Sequence, residues 1–96
     1  MSDVIDAAVT ALKAKMDGEQ FDGSAKFVIK DEGAIIIDGA GVRAGDDETE
    51  VTLTADAETF RAILDGDMNP TTAFMSGKLA VDGDMGTAMR LGSALS

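Results

Sequence analysis

Ninety-six residues carry 18 acidic against 8 basic side chains, a net charge of −10, and this balance argues against nucleic acid as a partner, because phosphate binding rests on Lys and Arg contacts. It also disfavours strong adsorption to anionic membranes, where basic residues supply the attraction. His and Cys are both absent, which removes the commonest general base, thiolate nucleophiles, zinc–thiolate sites and iron–sulfur clusters.

At this length the chain is expected to form one domain over residues 1–96, since a second core would leave neither half enough interior. Its 45% hydrophobic content suits a folded globular protein. No apolar run approaches the roughly 20 residues that span a bilayer. Met1-Ser2-Asp3-Val4 has neither the basic nor the apolar region of a signal peptide, so a cytoplasmic protein is expected.

In chain order, Ile5, Ala8, Val9, Leu12 and Met16 recur at helical spacing, with Ser2 placed to cap the helix and Gly18 to stop it. Ala25, Phe27 and Ile29 then alternate with Lys26, Val28 and Lys30, the pattern of a half-buried strand. Asp31-Glu32-Gly33 is turn chemistry, and 34–38 supplies the partner strand of a hairpin. A glycine-rich stretch from Gly39 to Gly45 has room for a short strand through Val42 and Ala44. After the acidic turn Asp46-Asp47-Glu48, Val51 and Leu53 alternate with Thr52 and Thr54 in a further strand.

Asp56 then caps a helix bearing Ala57, Phe60, Ile63 and Leu64, which ends at Gly66. Asn69 and Pro70 stand at the N-cap and first position of a short helix that carries Ala73, Phe74 and Met75 and stops at Gly77. Residues 78–82 read as a last strand with Leu79 and Val81 on one face. Asp84 caps a C-terminal helix with Met85, Ala88, Met89, Leu91 and Leu95. Most strands have one apolar and one polar face, so the expected class is α+β, with helices covering one side of a mainly antiparallel sheet.

Gly39-Ala40-Gly41-Val42-Arg43-Ala44 fits a dinucleotide-binding fingerprint in form only. That fingerprint needs a helix next, whose N-terminus holds the pyrophosphate, and Gly45-Asp46-Asp47-Glu48 follows instead. Asp65-Gly66-Asp67-Met68-Asn69 opens like a calcium loop, but Pro70 occupies the place of the turn glycine and Ser76 that of the bidentate Glu. Neither a metal nor an organic cofactor is expected. Catalysis by paired carboxylates would need one with a raised pKa in an apolar pocket. The acids here cluster in turns and helix starts, where the ionised form is favoured, so no catalytic residue is assigned. Met68, Met75, Met85 and Met89 fall in the final third, and Met recurs at surfaces that adapt to varied apolar partners.

From about Val51 to Leu91 the chain resembles the sterol carrier protein 2 family of lipid-binding domains. The resemblance rests on Asp56-Ala57-Glu58-Thr59-Phe60 and on the unbroken run Asn69-Pro70-Thr71-Thr72-Ala73-Phe74-Met75-Ser76-Gly77-Lys78-Leu79. It is completed by Gly83-Asp84-Met85-Gly86-Thr87-Ala88-Met89-Arg90-Leu91. Gln20-Phe21 and the first hairpin match more loosely. The resemblance implies a five-stranded sheet covered on one face by four to five helices, with an apolar tunnel between them. It implies carriage of a fatty acid, acyl-CoA ester, sterol or phospholipid without turnover, with transient contact to membranes or lipid-metabolising enzymes.

By position, Phe60, Ile63, Leu64, Phe74, Met75, Met85, Met89 and Leu91 are expected in the tunnel wall, with Phe27 or Ile36 as its floor. Some relatives have Gln where this chain has Ser76, which alters the polar contact expected at the ligand head. Ala94-Leu95-Ser96 differs from the C-terminal tripeptide of peroxisomal relatives, and the chain resembles a stand-alone bacterial-type carrier. Its end soon after the last helix begins suggests one open tunnel mouth. The rival expectation is a protein-interaction module presenting the Met-rich helix face.

Overall fold

The computed structural model describes residues 3–16 and 21–95, so the Ser2 cap, the Gly18 stop and Gln20 lie outside the described residues. The elements run α1 (Asp3–Met16), β1 (Ser24–Ile29), β2 (Gly33–Asp38), β3 (Gly41–Ala44), β4 (Val51–Ala55), α2 (Ala57–Asp65), α3 (Pro70–Met75), β5 (Ala80–Gly83) and α4 (Met85–Leu95). The five strands form one sheet in the order β3-β2-β1-β4-β5. Only the β1–β4 pairing is parallel; the other three are antiparallel.

Register decides which side chains meet. Phe27 stands opposite Ile35 on one side and Leu53 on the other, and Leu53 stands opposite Val81. Since directly paired residues point to the same face, Ala25, Phe27, Ile29, Ile35, Ile37, Val42, Val51, Leu53 and Ala55 make one continuous apolar surface, and all are buried. α1 lies over β2 and β3, and α4 over β1, β4 and β5. α1 presents Ile5, Ala8, Leu12 and Met16 to the core, and α4 presents Thr87, Ala88, Leu91 and Leu95.

The opposite face carries Lys26, Ile36 and Arg43, the first paired to Ile36 and the second to Arg43. The β3–β4 connection crosses this face. Lys26 Nζ pairs with Asp46 Oδ1 of that connection at 2.8 Å, and a side chain at Gly45 would meet Ile36 Cγ1 at 3.2 Å. At the far end, Ser24 and Glu50 exchange hydrogen bonds: the Ser24 amide donates to Glu50 Oε1 (2.8 Å) and the Glu50 amide to Ser24 Oγ (3.0 Å). The two parallel strands are thus tied at their starts.

The caps follow the sequence. Asp56 Oδ1 accepts from the Thr59 amide (2.7 Å), and Gly66 closes α2 in the left-handed conformation. Asn69 Oδ1 accepts from the Thr71 amide (2.8 Å) ahead of Pro70. Asp84 Oδ2 accepts from the Thr87 hydroxyl (2.6 Å) and Oδ1 from the Gly86 amide (3.3 Å). The glycine-rich stretch is turn and edge strand: the Ala40 amide donates to Asp38 Oδ1, and Arg43 forks onto both Asp38 oxygens at 3.0 and 2.9 Å.

One boundary differs from expectation. The last strand begins at Ala80 rather than at residue 78, because the Lys78 and Leu79 amides both donate to the Ala73 carbonyl (2.9 and 3.1 Å) and close the end of α3. Neither amide is left for a sheet ladder.

Two predictions follow from these junctions. Gly83 has φ +115°, and a Cβ there would lie 2.5 Å from the Glu50 carbonyl oxygen. Gly83→Ala is expected to cost about 1–3 kcal/mol or more from backbone strain, read as a lowered denaturant midpoint. The second concerns acid. Hydrogen bonds from Thr87 and Gly86 hold the Asp84 carboxyl below its ordinary value, the Thr59 amide and hydroxyl do the same for Asp56, and Arg43 does so for Asp38. The unfolded chain therefore takes up protons first as pH falls, so each contribution is fully present above the ordinary Asp value of about 3.9 and is lost below it. The gap in Tm between the native chain and Asp84→Ala should narrow as pH is lowered from about 5 to 2.

Candidate functional site

Between the β4–β5 side of the sheet and helices α3 and α4 lies a cleft of about 440 Å³. Its floor is Phe27, Leu53 and Val81, which the register places side by side. Ile63 of α2 and Leu79 add to the wall. Phe74 and Met75 of α3 stand on one rim and Met85 and Met89 of α4 on the other, with the buried Ala88 and Leu95 of α4 lining the interior. Asn69, Thr71 and Ser93 are its polar lining side chains. At Gly92, α4 passes close to the start of α3: a Cβ there would stand in ordinary contact with Pro70 Cβ at 3.9 Å.

The local sequence explains the rim. On α4, Thr87, Ala88, Leu91 and Leu95 face inward, which turns Met85 and Met89, one turn apart, toward the flank over the cleft. α3 is short and anchored by buried Pro70 and Ala73, so Phe74 and Met75 project from its outer side. The result is exposure of large apolar side chains: Phe74 43%, Met75 80%, Met85 48% and Met89 71%. All four line this one cleft. Scattered apolar exposure is ordinary, whereas a contiguous rim marks a binding surface.

Six of the sequence-assigned site residues come together here: Phe27, Ile63, Phe74, Met75, Met85 and Met89. The others lie elsewhere. Ile36 is buried on the opposite sheet face, against Gly45 of the β3–β4 connection, so the floor is Phe27. Phe60 is in the layer behind, its ring meeting Phe27 edge to face with centroids 4.4 Å apart and planes at 63°. Leu91 is wholly buried in the core, and Leu64 packs half-buried against it. Ser76 is exposed, and its hydroxyl donates to the Ala73 carbonyl at 3.1 Å. The cleft is open along the Met75–Met89 rim. Leu53 and Val81 were legible as inward-facing strand residues, but only the register carries them to the floor.

No ionisable side chain of the described residues lines the cleft. The eight cations of the chain are all placed elsewhere. Lys26 and Arg43 are paired on the far face. Lys13 and Lys15 sit in the last turn of α1. Arg90, beside Met89, donates to the Asp22 carbonyl at 3.2 Å. Lys30 and Lys78 act on the Asp56 carboxylate, and Arg61 is exposed on α2. Among the described residues, no group of three or more His, Cys, Asp or Glu side chains is arranged to hold a metal. No described helix is long and apolar enough to cross a membrane. The arrangement suits desolvation of an apolar body, with polar contact confined to Asn69, Thr71 and Ser93.

Comparison with known proteins agrees with the fold. The model of the SCP-2 sterol transfer family matches residues 5–96. Human sterol carrier protein 2 is 34% identical over 93 residues, covering 82% of this chain, although the match spans only 17% of that protein's length. The crystal structure of sterol carrier protein 2 like 2 from Aedes aegypti superposes with a TM-score of 0.79 at 22% identity, over 94% of each chain. The solution structure of Aedes aegypti sterol carrier protein 2 with palmitate gives a TM-score of 0.75 at 20% identity, over 100% of this chain and 97% of that one. With the family match extending over nearly the whole sequence, the chain belongs to the SCP-2 sterol transfer family.

Proposed function

We propose that the protein reversibly binds and carries a hydrophobic ligand (a fatty acyl chain or a sterol-like lipid) in the cleft between α3, α4 and the β4–β5 side of the sheet, without transforming it. The observation that carries this reading is the convergence of the four large exposed apolar side chains on one uncharged cleft. Its volume of about 440 Å³ falls within the roughly 300–1,000 Å³ of small-molecule sites. Family membership and the palmitate held by the mosquito relative support the same reading.

The driving force is burial of the tail. A 16-carbon chain at about 0.8 kcal/mol per methylene has roughly 12 kcal/mol of gross driving force, against association costs of at least about 4. Micromolar affinity follows from that difference. With no cation in the lining, a charged head gains no ion pair and is left at the mouth. A chain of net charge −10 repels a polyanionic head, and salt screens that repulsion. Delivery would involve transient contact with membranes or with lipid-metabolising enzymes, and a cytoplasmic site of action accords with this reading.

Delipidated protein titrated with palmitate below its micelle concentration should gain about 2.7 kcal/mol at one hundred times Kd, a rise in Tm of roughly 10 °C or more for so small a domain. Butyrate should give much less. Hexadecanol should match palmitate, and palmitoyl-CoA should bind more weakly at low salt, the gap closing as salt is raised. Equal shifts for butyrate and palmitate would indicate a general anion effect. The absence of any shift across fatty acids, acyl-CoA, sterols and phospholipids would favour a protein partner for the Met-rich rim.

Met89→Glu places an unpaired charge at the cleft. A fluorescent fatty acid should then bind at least tenfold more weakly while the far-UV circular dichroism stays native. Unchanged affinity would remove Met89 from the site.

A further inference from the structure

The chain contains no Cys, Trp, Tyr or His, so the side chains most readily oxidised by a hydroperoxide are its six methionines. Their placement is uneven. Met16 is buried in the core, and Met68 packs half-buried against it. Met1 lies outside the described residues. Met75, Met85 and Met89 are exposed, and all three line the cleft. The three exposed thioethers of the described residues are therefore gathered at one apolar rim.

We propose that this rim is a reversible oxidation site, and that sulfoxidation of Met75, Met85 and Met89 by a hydroperoxide switches the cleft from lipid-binding to lipid-releasing. The proposal rests on the lipid-carrying reading above. In each event the peroxide O–O bond breaks, one oxygen passes to sulfur, and an S–O bond forms. The sulfur is oxidised by two electrons, and hydrogen peroxide is reduced to one water. The product sulfoxide is polar and chiral in place of a flexible apolar thioether. Around it the lining is largely apolar, with Phe74, Leu79, Val81 and Ala88, and side-chain donors are confined to Asn69, Thr71 and Ser93. A lipid tail laid over a sulfoxide would strip its water without replacing the hydrogen bond, and that opposes binding. Water satisfies the same oxygen when the cleft is empty. Oxidation thus penalises the loaded state and leaves the empty fold intact.

Unloaded protein treated with hydrogen peroxide should gain one oxygen first at Met75 and Met89 and then at Met85, mapped by peptide mass spectrometry, while Met16 stays unmodified. Far-UV circular dichroism should remain native. Affinity for a fluorescent fatty acid should fall at least tenfold and return on treatment with methionine sulfoxide reductases. Prior loading with lipid should slow oxidation at Met85 and Met89. The triple variant Met75→Leu, Met85→Leu, Met89→Leu keeps an apolar rim of similar volume, and whatever affinity it has before treatment should change little after peroxide. Native affinity in the mapped, sulfoxidised protein overturns the switch, as does equal peroxide sensitivity in the triple variant. Oxidation of Met16 as fast as Met75 overturns the assignment of the site. Failure of the untreated protein to bind any lipid overturns the carrier reading and this proposal with it.

Discussion

The ring contact between Phe27 and Phe60 joins the core of this protein to its cleft. Phe27 has no exposed surface, and Phe60 meets it edge to face, a geometry that adds stabilisation beyond area burial. Phe27 is also the cleft floor. One side chain therefore fixes α2 on the sheet and supplies the base of the proposed lipid site. Two constraints hold it there: the parallel register that sets Phe27 beside Leu53, and the Ser24–Glu50 exchange that ties the starts of the two strands. A slip of one residue would send Phe27 to the opposite face and expose Lys26 to the core.

The sheet divides its chemistry by face. The helix side is apolar throughout, while the opposite side holds the Lys26–Asp46 and Arg43–Asp38 pairs and the β3–β4 connection. This segregation is why no ionisable side chain of the described residues lines the cleft, although the chain has 26 Asp, Glu, Lys and Arg residues. Charge stays where solvent or a partner satisfies it, and the methionines take the remaining exposed positions on the helix side. Their flexible, polarizable side chains suit the proposed role of this rim in contacting an apolar ligand. The same sulfur atoms make it the chemically vulnerable part of the surface.

Openness has an energetic basis. A rigid, dry core cavity costs about 24 cal/mol per Å³, so 440 Å³ would cost roughly 10 kcal/mol on that scale. Native domains have only about 5–15 kcal/mol in total. A cleft with largely exposed Met75 and Met89 on its rim is reached by water and does not carry that cost. The short α3, held by buried Pro70 and Ala73 at its base, leaves Phe74 and Met75 exposed at the cleft.

The local content of this fold was legible in the residues. Asp56, Asn69-Pro70 and Asp84 marked three helix starts because short polar side chains cap orphan amides, and the alternation around Phe27 and Leu53 marked two strands. Six of the side chains that the family resemblance assigned by position gather at the cleft: Phe27 from a strand, and Ile63, Phe74, Met75, Met85 and Met89 from helices. Sequence could not separate Ile36 from Phe27 as floor, because both are large, apolar and buried, and only strand register assigns them to opposite faces. Nor could it distinguish Leu91, turned into the core, from Met89 at the rim. Two residues apart on one helix, they point about 200° apart, and spacing alone does not say which of the two directions meets the sheet. Spacing along a chain fixes periodicity, whereas the direction each face points is set by long-range pairing. Here that pairing is the parallel junction of β1 and β4, which lie more than 20 residues apart in sequence.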